Sequence, residues 1–169
     1  MMSDSSSQPN PSLADANAVR IETATIEDLH EITELLMELL EMQGDFVPNR
    51  DDQEHGLRLI LESPNRGRIF VLRNDHQIVG IVNLLFTIST VVGGMVILLE
   101  DFIVHPSHRG QGYGSKMLTH VRTFAKQKQF KRITLLTDKI SAASQKFFNA
   151  QGFHYSNMIP MRMMVESDD

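Results

Sequence analysis

The stretch from Leu98 to Gly114, LLEDFIVHPSHRGQGYG, concentrates the residue types with chemistry in them. The adjacent carboxylates Glu100 and Asp101 lie in an apolar run that Pro106 stops. A short polar turn follows, then Arg109-Gly110-Gln111-Gly112-Tyr113-Gly114, then apolar residues at helical spacing. Glycines at alternate positions carry no side chain to block a close approach. Their N–H groups can point together into one concavity at a helix N-terminus, where unpaired donors and the positive helix end favour a phosphate or pyrophosphate. The spacing predicts a phosphorylated cofactor on this loop, with the chemistry presented by the strand that enters it.

Other site types fail on spacing. A P-loop needs G-x-x-x-x-G-K-[ST], but Lys116 follows Ser115 and Met117 comes next. A dinucleotide fingerprint needs a third glycine where Ser115 stands, and a βαβ unit opening the chain. His105 and His108 have Pro106 between them and no third ligand nearby, so no metal is expected. Ser89, Ser107 and Ser115 lack a G-x-S-x-G context. With no cysteine in the chain, disulfides, zinc–thiolate sites and thiol nucleophiles are excluded.

The elements that must position the loop read as alternating helices and strands. Val19 to Glu22 is a short strand, and Thr25 with Asp28 three residues on forms a capping box. Leu29, Ile32, Leu35, Leu36, Leu39 and Leu40 predict a helix over 26–43 that Gly44 ends. A second helix covers 51–62. Strands follow over 68–73 and 77–90, with Asn74-Asp75 as the hairpin turn, and Met95 to Val104 enters the glycine loop. The helix behind the loop, 112–129, has a core face of Met117, Leu118, Val121, Phe124 and Ala125. A strand over 132–137, a helix over 141–150 and a final pair of short strands from Phe153 complete the order. The methionines at 158, 161, 163 and 164 are read as strand residues filling irregular core or an intersubunit face.

At 169 residues the chain is long enough for one domain, expected over 19–166, behind a Ser/Pro/Asn-rich leader (1–18) read as disordered. The tail from Glu166 is read as loose. Apolar content of 41% and charged content of 22% fit a soluble globular protein, expected in the cytoplasm. No run approaches the ~18 apolar residues of a membrane span, and no signal peptide opens the chain. A net charge of −5 argues against nucleic acid and suits a cationic substrate.

The R-x-x-G-x-G segment from Arg109 to Gly114, at a strand-to-helix junction late in a small domain, resembles the acyl-CoA pyrophosphate loop of the GNAT superfamily of N-acetyltransferases. The later stretch ITLLTDKISAASQKFFNAQGF, ending in Gly152-Phe153, resembles the family's closing helix and its terminal "GF". The resemblance implies the GNAT fold: an α/β (α+β) mixed sheet, mostly antiparallel, flanked by helices. It implies acetyl-CoA as the acyl donor and no metal. It assigns the pyrophosphate to the backbone of Gly110, Gln111, Gly112, Tyr113, Gly114 and Ser115, with Arg109 as an added cation. It assigns the pantetheine arm to the strand edge at Phe102, Ile103 and Val104, and the general base to Glu100, with Asp101 as the alternative. Ser141 and Phe148 fall at cofactor-contacting positions where the family often carries Asn and Tyr. Ser141 keeps hydrogen-bonding ability, whereas Phe148 has no proton for the leaving thiolate; another group or water must supply it. Lys126 to Arg132 is read as a solvated helix end rather than a contact to the 3′-phosphate.

The first helices of this family line the acceptor site, where Glu41, Asp45 and Phe46 could meet a cationic amine or be ordinary exposed residues. The resemblance, including Leu99-Glu100-Asp101-Phe102 to the polyamine and diamine branch, implies direct acetyl transfer in a ternary complex to a primary amine of a small cationic molecule. The alternatives are a protein lysine or N-terminal acetyltransferase and a non-catalytic acyl-CoA sensor. A homodimer is also implied.

Overall fold

The structure, a computed structural model, describes residues 19–43, 47–137 and 141–165. The leader 1–18, the helix-ending Gly44, Asp45, Phe46 and the tail from Glu166 lie outside the described residues. Two compact units are present, one ending at Leu136 and one beginning at Thr137.

The first unit is built on a sheet in the order β1-β2-β3-β4-β5, with β1 Arg20–Thr23, β2 Gly67–Asn74, β3 Gln77–Ser89, β4 Gly94–Val104 and β5 Ile133–Leu135. Neighbours from β1 to β4 are antiparallel, and β5 alone runs parallel to β4. That is the mixed, mostly antiparallel sheet expected. Helix α1 (Leu29–Gln43) is preceded by a turn of 3-10 helix, Ile26–Asp28, so the helix expected from 26 starts in a tighter form. The Thr25 N–H donates to the Asp28 carboxylate at 2.9 Å, the capping contact read from the sequence. Arg73 of β2 ties this turn to the sheet, donating to Asp28 at 2.7 Å and to Glu22 at 3.3 Å. Helix α2 (Arg50–Leu61) begins with Asn49 accepting from the Asp51 N–H.

Helices cover both sheet faces. On one face Leu29, Ile32 and Leu35 of α1 and Leu57 of α2 bury against Ile69, Ile81 and Ile103. On the other lies α3 (Tyr113–Gln127), whose Met117, Leu118, Val121 and Ala125 are buried as the spacing predicts. Phe70 meets His120 and Phe124 of α3 edge-on at 4.6 and 5.2 Å between ring centres. The hairpin turn falls on Asp75 and His76, one residue later than expected, because Asn74 stays in register with Gln77.

The second unit holds α4 (Ala142–Ala150), capped by Ser141 accepting from the Ser144 N–H at 3.3 Å. Its end is a Schellman motif: Phe153 N–H donates to the Phe148 carbonyl and Gly152 N–H to that of Asn149, with Gly152 at φ 91°. The family's Gly-Phe pair is therefore a helix stop. The terminal pair of strands expected from Phe153 does not form among the described residues. Met158, Met161, Met163 and Met164 are exposed, so they fill no core here. Alternating apolar residues record a propensity for extended chain, but a strand forms only where a neighbour supplies its ladder.

Candidate active site

The register of β4 contains the feature that no local reading could supply. Asn83 of β3 lies opposite Asp101, and the next residue, Leu84, lies opposite Leu99. Glu100 is thus the extra residue of a β-bulge. The bulge lifts the constraint that adjacent strand residues must face opposite ways, and the Glu100 side chain is exposed. Sequence alternation alone left Glu100 and Asp101 competing for one orientation.

At the same point β4 parts from β5. The parallel register runs from Ile97↔Ile133 to Leu99↔Leu135 and goes no further. From Glu100 to Val104, β4 continues in register with β3 on one side only, while β5 has ended. Phe102 and Val104 are half-buried and Ile103 is core. A strand with one edge in a sheet and its other edge beyond the reach of the next strand can accept an extended ligand as an added strand.

Past Val104 the chain turns through Pro106–His108 and enters the glycine loop. The Ser107 hydroxyl bridges the Nδ1 atoms of His105 and His108 at 2.7 and 2.9 Å, so both rings serve the turn. Arg109 folds back, its Nε donating to the Val104 carbonyl at 2.8 Å. That contact locks the loop against the end of β4. Gly110 and Gly112 adopt φ of 73° and 79°, a region closed to most side chains, and Gly112 is the N-cap of α3. A Cβ at either glycine would meet no atom within 4 Å, so both open on free space. The first turn of α3 has no preceding helical carbonyls for its amides. Positive helix end, left-handed glycines and an open concavity fit a pyrophosphate.

Behind the bulge sits a residue that sequence reasoning missed. Asn83 is buried, and its Nδ2 donates to the Asp101 carboxylate at 3.0 Å, while its Oδ1 is buried without a hydrogen-bond partner. A lone amide inside the apolar run IVGIVNLLF was the available signal. Burial pushes the Asp101 carboxyl above its ordinary range, and the Asn83 hydrogen bond opposes that shift. Raised in the folded state, this group gives stability that is full below the unfolded-chain value and is lost as pH rises through the folded value. Asp101→Asn keeps the acceptor for Asn83 and adds a donor for its orphaned oxygen. The variant is expected to melt above the wild type at about pH 8, with the gap narrowing toward about pH 4.5. A gap independent of pH in thermal unfolding would contradict this.

A groove of about 320 Å³ lies beside this sheet face, lined by Glu31, Glu34, Glu38 and Glu41 of α1 with Gln77 and His105. Their spacing places the carboxylates on one helical stripe. Glu31 accepts from the Ile78 N–H at 2.6 Å, Glu34 pairs with Arg50, and Glu38 lies 3.5 Å from His105 Nε2. Hydrogen bonding from Arg50 holds the Glu34 carboxyl below the usual range.

In the second unit, Phe148 packs edge-on against Phe147 and Phe153, with ring centres 5.2 and 5.8 Å away. The Tyr155 hydroxyl donates to Gln145 at 2.8 Å.

A bulged acidic strand, a parted strand pair and a left-handed glycine loop capping a helix define an acyltransferase site of the GNAT type. The model of the Acetyltransferase (GNAT) family matches residues 29–153, and the chain belongs to that family as an N-acetyltransferase. Aminoalkylphosphonate N-acetyltransferase of Salmonella typhimurium is 27% identical over 134 residues, spanning 79% of this chain and 84% of the relative. A possible acetyltransferase from Clostridium difficile 630 matches in structure with a TM-score of 0.80 at 13% identity, over 88% of this chain and 99% of that one. Aminoglycoside N-acetyltransferase AAC(6')-Iy in complex with CoA gives 0.74 at 18% identity, over 88% and 95%. Both structural likenesses carry the fold.

Proposed function

We propose that this chain transfers the acetyl group of acetyl-CoA directly to a primary amine of a small cationic molecule, within a ternary complex. The observation that carries the reading is the fork at Leu99, where β4 leaves β5 and runs through the bulge into the loop. The backbone from Gly110 to Ser115 holds the pyrophosphate, with the Arg109 guanidinium fixing the loop. Phe102, Ile103 and Val104 bind the pantetheine arm along the strand edge. The thioester supplies an activated acyl carbon whose leaving thiolate is only weakly basic.

An alkyl ammonium has a pKa near 10.4, so its nitrogen is almost wholly protonated at neutral pH. Glu100, exposed on the bulge, takes that proton directly or through water, freeing the lone pair for attack. Phe148 cannot protonate the departing sulfur. A thiol pKa of about 8.5 lets water do so at modest cost near neutrality. Ser141 lies at the second cofactor-contacting position of this reading. Residues 19–166 act as one catalytic domain, working in the cytoplasm as a homodimer.

The acidic groove on α1 supports the cationic acceptor. Initial rates with a diamine, an aminoglycoside and an aminoalkylphosphonate test this. The expected result is intersecting double-reciprocal lines and a kcat/KM for the diamine about tenfold or more above that for the phosphonate, whose anion meets the glutamates. Parallel lines would remove direct transfer, and preference for the phosphonate would remove the cationic acceptor.

A further inference from the structure

Beyond Ala125, not one described residue is buried. Residues 154–165 are exposed throughout, and Met158, Ile159, Met161, Met163, Met164 and Val165 are each between 84% and 93% exposed. Six large apolar side chains on one short segment present on the order of several hundred Å² of contiguous apolar surface, which a soluble monomer seldom leaves to water. Ile159, Met161, Met163 and Val165 alternate, so in extended chain they share one face. The segment forms no strand, and the sheet ends at β5, whose three residues are half-buried and pair only with β4.

We infer that residues 154–165 are the homodimer surface, each copy adding this segment as a strand against a second copy of the chain. A second copy is the occupant because the same sequence supplies both an apolar strand without a ladder and a sheet ending at a short edge strand. Reciprocal exchange about a twofold axis satisfies both and closes the assembly. The surface on each side is of the order of the ~800 Å² that a partner in a standard interface buries. Pro160, which donates no backbone hydrogen bond, fits an edge position in such a strand.

This assignment rests on the homodimer within the proposed function but not on its chemistry, and its readout is mass and distance rather than activity. Sedimentation equilibrium of the full chain at micromolar concentration is expected to give twice the 19.1 kDa chain mass. The double substitution Met161→Glu, Met163→Glu should give a monomer with unchanged far-ultraviolet circular dichroism. Because the chain has no cysteine, Met163→Cys provides a unique spin-label site, and electron–electron dipolar spectroscopy should return a defined distance between copies. A wild-type monomer overturns both the dimer and the surface, whether the segment then stays free or serves another partner. A dimer that survives the double substitution, or a label with no defined intermolecular distance, overturns the surface and leaves the dimer standing. If the double variant fails to fold, the label distance decides.

Discussion

Gly112→Glu is expected to raise the KM for acetyl-CoA by about 100-fold or more, equivalent to roughly 2.7 kcal/mol of lost binding. Two effects add. Gly112 caps α3 at φ 79°, where a side chain costs about 1–2 kcal/mol. Its Cβ direction opens on free space, so the new carboxylate would stand in the concavity assigned to an anion and repel it. Gly112→Ala separates the two, since the methyl meets nothing within 4 Å and introduces the backbone strain alone. It should weaken binding only about tenfold. Both variants should keep native circular dichroism. If Glu and Ala at this position behave alike, the loop is a structural turn and not an anion cradle.

Glu100→Gln carries the second large effect. The substitution keeps the shape of the bulge residue and removes its basicity. At neutral pH kcat/KM is expected to fall by about 100- to 1,000-fold, the range for loss of a positioned base. The deficit should shrink as pH approaches the acceptor's own pKa near 10.4, where the amine reaches the site already neutral. The KM for acetyl-CoA should hardly move, because the phosphate loop is untouched. A variant within twofold of wild type across the profile would shift the base role elsewhere, with Asp101 first in line because the pair shares the bulge.

Much of the frame was legible because it is local. The core face of α3, the Thr25–Asp28 cap and the glycine stop at Gly152 each follow from residues within a few positions of one another. The glycine loop was legible for the same reason, since left-handed backbone at a helix start leaves its mark in residue type. The bulge was not, because register is set by the opposing strand, and nothing in LLEDFIV says that Leu84 will face Leu99. The fork was hidden for a related reason: a strand read over 132–137 forms only over 133–135, and that shortening ends its pairing with β4 at Leu99. Asn83 stood out by type, but its partner Asp101 is 18 residues away in sequence. The C-terminal methionines show the converse failure, where a correct alternation met no neighbouring strand within the described chain.

The claim on which the rest depends is that the loop and the open strand edge bind an acyl-CoA. Isothermal titration of acetyl-CoA into the purified full chain, with CoA and NAD as comparisons, tests it most directly. The account predicts micromolar binding of acetyl-CoA and CoA at one site per chain, with NAD not bound. Absence of binding by either thiol compound, or equal binding of NAD, would contradict it.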